Sequence, residues 1–201
     1  MSKIETVIAE LKKVEHGFKP MIAAGDELLH ISGQDHLALA RSLLEQEAHQ
    51  ARMLGTYMLG ELAAHQEEAL KILREKVSKD RSWQVQEMLA KAFDRYCSHL
   101  GYENALPIIK AWLQDGQANV KRAVIEGLRI WTGRPYFREY PQVAIDLIGA
   151  HRSADSEYLR KSVGNALRDI KKKHPEQVES YLANWDLTDR RVLFTKKLIG
   201  K

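Results

Sequence analysis

Apolar residues recur along this chain three and four apart from end to end, which is the spacing of helices packed on one side. The cleanest stretch is Asn119 to Trp131. Val120, Ala123, Val124, Gly127, Leu128 and Trp131 fall at i, i+3, i+4, i+7, i+8 and i+11 and make one apolar stripe. Arg122, Glu126 and Arg129 fall at i, i+4 and i+7 and make a charged stripe on another side. The pattern then repeats. Leu159 to Ile170 overlies Val120 to Trp131 at a constant offset of 39, with Val163 for Val124, Leu167 for Leu128 and Arg168 for Arg129. Arg160 and Lys161 stand for Lys121 and Arg122. A helix that recurs in this way marks a solenoid, in which no repeat can bury its apolar face alone.

The same reading predicts helices over 2–14, 20–31, 35–46, 47–64, 66–78, 83–100, 104–114, 119–131, 140–150, 157–172, 175–184 and 187–199. Ser82 is the expected N-cap of the helix that begins at Trp83, Gly101 its stop, and Pro107 fits a first turn. Gly133-Arg134-Pro135 breaks the chain after Trp131. Lys171, Lys172 and Lys173 complement a helix C-terminus. No run has the alternation of a strand. The helices pair, with second members near 48–64, 83–99, 119–131, 157–172 and 188–199. The expected fold is all-α: a HEAT-like repeat α-solenoid, a right-handed superhelix of antiparallel helix pairs, forming a single domain over 1–201.

Charge changes this picture because it is unevenly spread. Residues 1–118 carry 14 Lys/Arg against 17 Asp/Glu, whereas residues 119–201 carry 17 against 10. A basic half invites an anionic partner, nucleic acid being the usual one, and a solvated surface is the plain alternative. No apolar run reaches the ~18 residues of a membrane span, and the N-terminal MSKIETVIAELKK lacks the apolar centre of a signal peptide. The lone Cys97 cannot form an internal disulfide and reads as a core residue, so a cytoplasmic protein is expected.

Motifs for cofactor or nucleophilic chemistry are absent. The eight histidines form no HExxH and have no cysteine partner, and there is no phosphate-binding glycine loop and no GxSxG elbow. Neither metal nor cofactor is expected. What remains is charge on the second helices. Glu87, Lys91 and Asp94 share a face, as do Arg122, Glu126 and Arg129, and then Lys161, Asn165 and Arg168. Arg52, Glu87, Arg122 and Lys161 align as equivalent outward positions. Arranged in a groove, such cations suit successive phosphates. The competing account is ion pairing among themselves, such as Glu126 with Arg122. Trp112 and Trp131 lie on core stripes, Trp83 lies off its stripe and is open to a nucleotide or a core neighbour, and Trp185 suits either use.

Two of these stretches carry a resemblance. SEYLRKSVGNALRDIKKKHPEQV, residues 156–178, and VKRAVIEGLR, residues 120–129, resemble motifs of the HEAT-like repeat DNA glycosylases of bacterial alkylation repair, the AlkC and AlkD group. The likeness runs from Ser82 to Trp185, within a family-like core of about residues 47–200. It implies hydrolysis of the N-glycosidic bond of alkylated purines of the 3-methyladenine and 7-methylguanine type, without a metal. Such a base leaves neutral, and a carboxylate stabilises the sugar cation left behind. The resemblance carries the acidic positions to Glu87 and Glu126, the paired arginines to Lys121 and Arg122, and the opening tryptophan to Trp83. An aromatic residue in the late inner helix of AlkD-type members is replaced by Asn165. AlkC-type members read RPRLPW where this chain reads RIWTGRPYF, and many add an immunoglobulin-like domain not expected here.

The resulting expectation is a monomer that binds alkylated or branched double-stranded DNA. Glu87 and Glu126 act as catalytic carboxylates, Arg52, Arg122, Arg129, Lys161 and Arg168 hold phosphates, and Trp83 and Asn165 meet the strand. Two rivals stay open: a non-catalytic binder of damaged or branched DNA, and a protein-binding scaffold whose groove charges are neutralised in pairs.

Overall fold

The computed structural model describes residues 3–15 and 17–200, and among these the regular elements are all helical, as the periodicity predicts. No helix among the described residues is long and apolar enough to cross a membrane. The chain groups into two compact units, Met1–His99 and Leu100–Lys201.

In the first unit, α1 (Lys3–Leu11), α2 (Lys19–Leu29), α3 (His36–Leu44), α4 (His49–Leu62) and α5 (Glu67–Glu75) precede a 3₁₀ turn (Val77–Lys79) and α6 (Trp83–Leu100). The hub is α4, which packs on α1, α2, α3 and α5 and buries every residue from Gln50 to Thr56. Close approach there depends on a missing side chain. A Cβ on Gly60 would stand 2.7 Å from the Cα of Ala92 in α6. The start of α6 differs from expectation. The Ser82 hydroxyl donates to Gln84 Oε1 at 2.7 Å instead of accepting from the helix, and Asp80 Oδ1 accepts the Ser82 N–H at 2.8 Å. Gly101, at φ +81°, takes the left-handed conformation just past the helix end, as expected of the residue that stops it.

In the second unit, α7 (Leu106–Leu113) and α8 (Ala118–Gly127) lead to a 3₁₀ turn (Trp131–Gly133). Then come α9 (Pro135–Glu139), α10 (Pro141–Gly149), α11 (Glu157–Lys171), α12 (Pro175–Ala183) and α13 (Arg190–Ile199). Pro107, Pro135, Pro141 and Pro175 all stand in first turns, where a missing N–H costs nothing. Here the hub is α11, which packs on α8, α10, α12 and α13. Ser156 caps it by accepting from the Leu159 N–H at 3.3 Å. A Cβ on Gly164 would stand 2.6 Å from the Cβ of Leu198, so α13 lies directly on the α11 backbone.

The helix expected over 119–131 ends early. It closes at Gly127, and the chain folds back so that the Trp131 indole N–H donates to the Ile125 carbonyl at 3.1 Å. The indole is fully buried, 4.8 Å from the Phe137 ring. Periodicity could not show this, because Trp131 is equally buried whether the helix continues or turns. The short α9, which supplies Phe137, begins at the last residue of the expected break and fills a stretch for which no helix was expected. Trp112, Trp185 and Cys97 are buried.

One device recurs. The fourth residue of α4, α6 and α11 reaches back to carbonyls of the loop leading into its own helix. Arg52 Nη1 donates to Gln46 O at 3.0 Å and Glu47 O at 2.6 Å. Gln86 Nε2 donates to Val77 O at 3.0 Å, Ser78 O at 3.2 Å and Asp80 O at 2.8 Å. Arg160 Nη1 donates to Ala154 O at 2.5 Å and Asp155 O at 2.9 Å. All three side chains are buried. Loop carbonyls in a dry corner need donors, and each left bare costs about 1–3 kcal/mol.

Candidate nucleic-acid interface

In the first unit, Trp83 opens α6 with 56% of its surface exposed. Glu87 follows one helical turn later and is half-buried. An exposed indole beside a carboxylate at i+4 is the arrangement the resemblance implies. Arg52 is a different matter. Its Nε and Nη2 hold Asp80 in a fork at 2.6 and 3.2 Å, and Nη1 is taken by the loop carbonyls. It is therefore an internal staple and does not point outward. Its counterparts in the fold are Gln86 and Arg160, one residue before Glu87 and Lys161, so the apolar register that aligned Arg52 with those two is one residue out.

In the second unit, Arg122 is also internal. It is 4% exposed, and its guanidinium lies 4.1 Å from the centroid of the Tyr158 ring. Lys121 lines a cleft of about 290 Å³ with His151, Ser153 and Ser156. Lys161 is exposed and paired with Glu157 at 2.8 Å on its own helix. Asn165, one turn further, is half-buried. Arg168 borders a cavity of about 330 Å³ with Lys171, Lys172 and Pro175, and pairs with no described residue.

Glu126 and Arg129 meet, together with Asp169, which sequence reasoning passed over, and Lys172, expected there only as a complement to the helix C-terminus. Arg129 lies beyond the end of α8, where the fold-back of the chain turns it toward α11. Its Nε donates to Asp169 Oδ2 at 2.7 Å and its Nη1 to Glu126 Oε2 at 3.3 Å. Lys172 Nζ donates to the other Asp169 oxygen at 3.1 Å. Two carboxylates and two cations form one connected row. Burial opposes the charge on Asp169, but the bonds from Arg129 and Lys172 prevail and hold its carboxyl below the usual range. Burial likewise opposes charge on Arg129, but Asp169 and Glu126 prevail and hold its guanidinium above its ordinary value. The Glu126 side chain is only 13% exposed. Asp169 could have been suspected as the one acid between Arg168 and Lys171–Lys173, and Tyr158 as an aromatic in a capped first turn. No group of His, Cys, Asp or Glu able to hold a metal ion occurs among the described residues.

Residues 13–194 match the family described as DNA alkylation repair enzyme. AlkD2 from Streptococcus mutans is 42% identical and superposes with a TM-score of 0.93 over 99% of this chain and 98% of that one. The smu.31 protein of Streptococcus mutans UA159 is 40% identical, with a TM-score of 0.90 over 99% and 98%. An alkylpurine DNA glycosylase, AlkC of Pseudomonas fluorescens, bound to DNA containing an abasic site analog, shares the fold at 20% identity. Its TM-score is 0.73, over 98% of this chain and 54% of that one. No curated protein matches. The HEAT-like repeat fold and the resemblance read from residues 120–129 and 156–178 are thereby borne out, and the chain belongs to the DNA alkylation repair enzyme family.

Proposed function

We propose that this chain binds alkylated or branched double-stranded DNA and recognises the damaged region without using Glu126 to release a base. The observation behind this reading is the row Glu126–Arg129–Asp169–Lys172. A carboxylate promotes loss of an alkylated purine by facing the sugar cation as charge develops. Glu126 already faces a guanidinium, and that guanidinium is fixed from its other side by Asp169. Its charge is matched before a substrate arrives. Phosphates are then met by cations outside the row, with Arg168 first among them and the exposed Lys161, earlier on α11, second. Arg52 and Arg122, engaged inside the protein, are not in this set.

Fluorescence anisotropy with intact, methylated and branched duplexes tests the binding, and chromatography of released bases tests the chemistry. The expected result is affinity that falls steeply with salt, as phosphate contacts require, and no 3-methyladenine or 7-methylguanine released. Absence of affinity for every duplex at low salt overturns the proposal and assigns the paired charges to a protein-binding scaffold.

A second reading has one observation in its favour, the open Trp83 with Glu87 a turn away. On it the chain is an alkylpurine glycosylase with Glu87 as the carboxylate facing the sugar. Base release that persists in Glu126→Gln and disappears in Glu87→Gln would establish it.

A further inference from the structure

Tyr158 is an exposed aromatic that none of this uses. It stands in the first turn of α11 with 47% of its surface open, and its inner face covers the buried Arg122 guanidinium. Two things follow from that contact. The cation holds the ring in one orientation, so the outer face is flat and ordered before anything lands on it, which lowers the cost of binding there. The cation also draws the π electrons toward the inner face. The outer face is left poorer in electrons and suits a neutral, electron-rich ring. A base that already carries positive charge is repelled by Arg122 through the phenol. Lys161, one turn along the same exposed side, puts an ammonium within reach of a flanking phosphate.

We propose that Tyr158 is a stacking platform for a neutral unpaired nucleobase of DNA, and that it disfavours the cationic alkylated base itself. The inference rests on the DNA-binding reading above and adds which base the surface holds. The ring supplies a contact that needs no hydrogen-bond readout, so it accepts any unstacked neutral base, with purines offering the larger face.

The test uses the full chain and three duplexes of one sequence: fully paired, with a single bulged guanine, and with a single bulged N7-methylguanine. Affinities come from fluorescence anisotropy at low salt. Wild type is expected to prefer the guanine bulge to the paired duplex and to the methylated bulge. Tyr158→Leu is expected to lower the bulge-to-paired ratio about tenfold, the usual loss for one stacked base, and to erase the discrimination against the methylated bulge. Tyr158→Phe keeps both. Because the ring is exposed, neither change should unfold the protein, and a ratio is insensitive to a uniform loss of active molecules. A ratio unmoved in Tyr158→Leu overturns this inference while leaving the DNA-binding reading intact. Equal losses in Tyr158→Leu and Tyr158→Phe overturn it too, since the hydroxyl would then be responsible. No binding of any duplex by wild type removes both.

Discussion

Asp169→Asn is the sharpest perturbation of the ionic row, because it keeps the shape and deletes one charge. At the 2.7 Å separation of Arg129 Nε and Asp169 Oδ2, two unit charges in an effective dielectric near 20 attract by roughly 6 kcal/mol before solvation is counted. Most of this is returned as desolvation. Arg129 keeps a third of its side chain in water and retains Glu126, and the amide oxygen can still accept one bond. A net loss of about 1–2 kcal/mol is expected, or roughly 2–8 °C in melting temperature for a chain of this size. The pH dependence identifies the cause. The folded carboxyl is depressed, so its contribution is complete above the ordinary aspartate value near ~3.9 and is lost as pH falls through the folded value. The gap between wild type and variant should be full at neutral pH and close in stronger acid. Releasing Lys172, 70% exposed, also adds a cation for phosphate, so the log–log salt dependence of duplex binding should steepen by about 0.9. Thermal melts across a pH series and anisotropy across a salt series measure both. Equal melting at neutral pH, or a gap that persists unchanged in acid, would refute the charge coupling.

Other outcomes follow from the same geometry. Arg52→Ala leaves the largely covered Asp80 carboxylate without its fork and two loop carbonyls without donors, so a loss of about 3 kcal/mol is expected in urea unfolding. Arg52→Lys, which keeps the charge but not the fork, should recover part of it. Gly164→Ala should lower the melting temperature despite alanine's better helix propensity, because overpacking against Leu198 costs about 1–3 kcal/mol. A rise would show that α13 yields freely. Ser156→Ala should cost about 1 kcal/mol through the lost cap on α11, and an unchanged melt would show the capping bond to be idle.

The fold was readable wherever burial follows a single period. The stripes Val85–Phe93 and Leu159–Ile170, the first turns led by Pro107 and Pro175, and Gly101 all appear where the pattern puts them. It failed after Gly127, because an apolar Trp131 satisfies a longer helix and a fold-back equally well. The candidate site was legible in composition and illegible in orientation. Arg52 and Arg122 look on paper like Arg168, yet two are buried and one is half-open. Whether a cation reaches solvent depends on what faces it: loop carbonyls and Asp80 for Arg52, the Tyr158 ring for Arg122. Asp80 and Tyr158 lie 28 and 36 residues away in sequence, where the spacing of residues along one helix gives no sign of them.

The reach of Gln86 and Arg160 to the carbonyls just before their own helices has an evolutionary corollary. Each such corner is closed by groups encoded within a dozen consecutive codons. Duplicating or deleting one helical pair would carry donor and acceptors together and orphan neither. A lineage built this way can lengthen or shorten by whole modules while the residues between the corners drift toward new ligands.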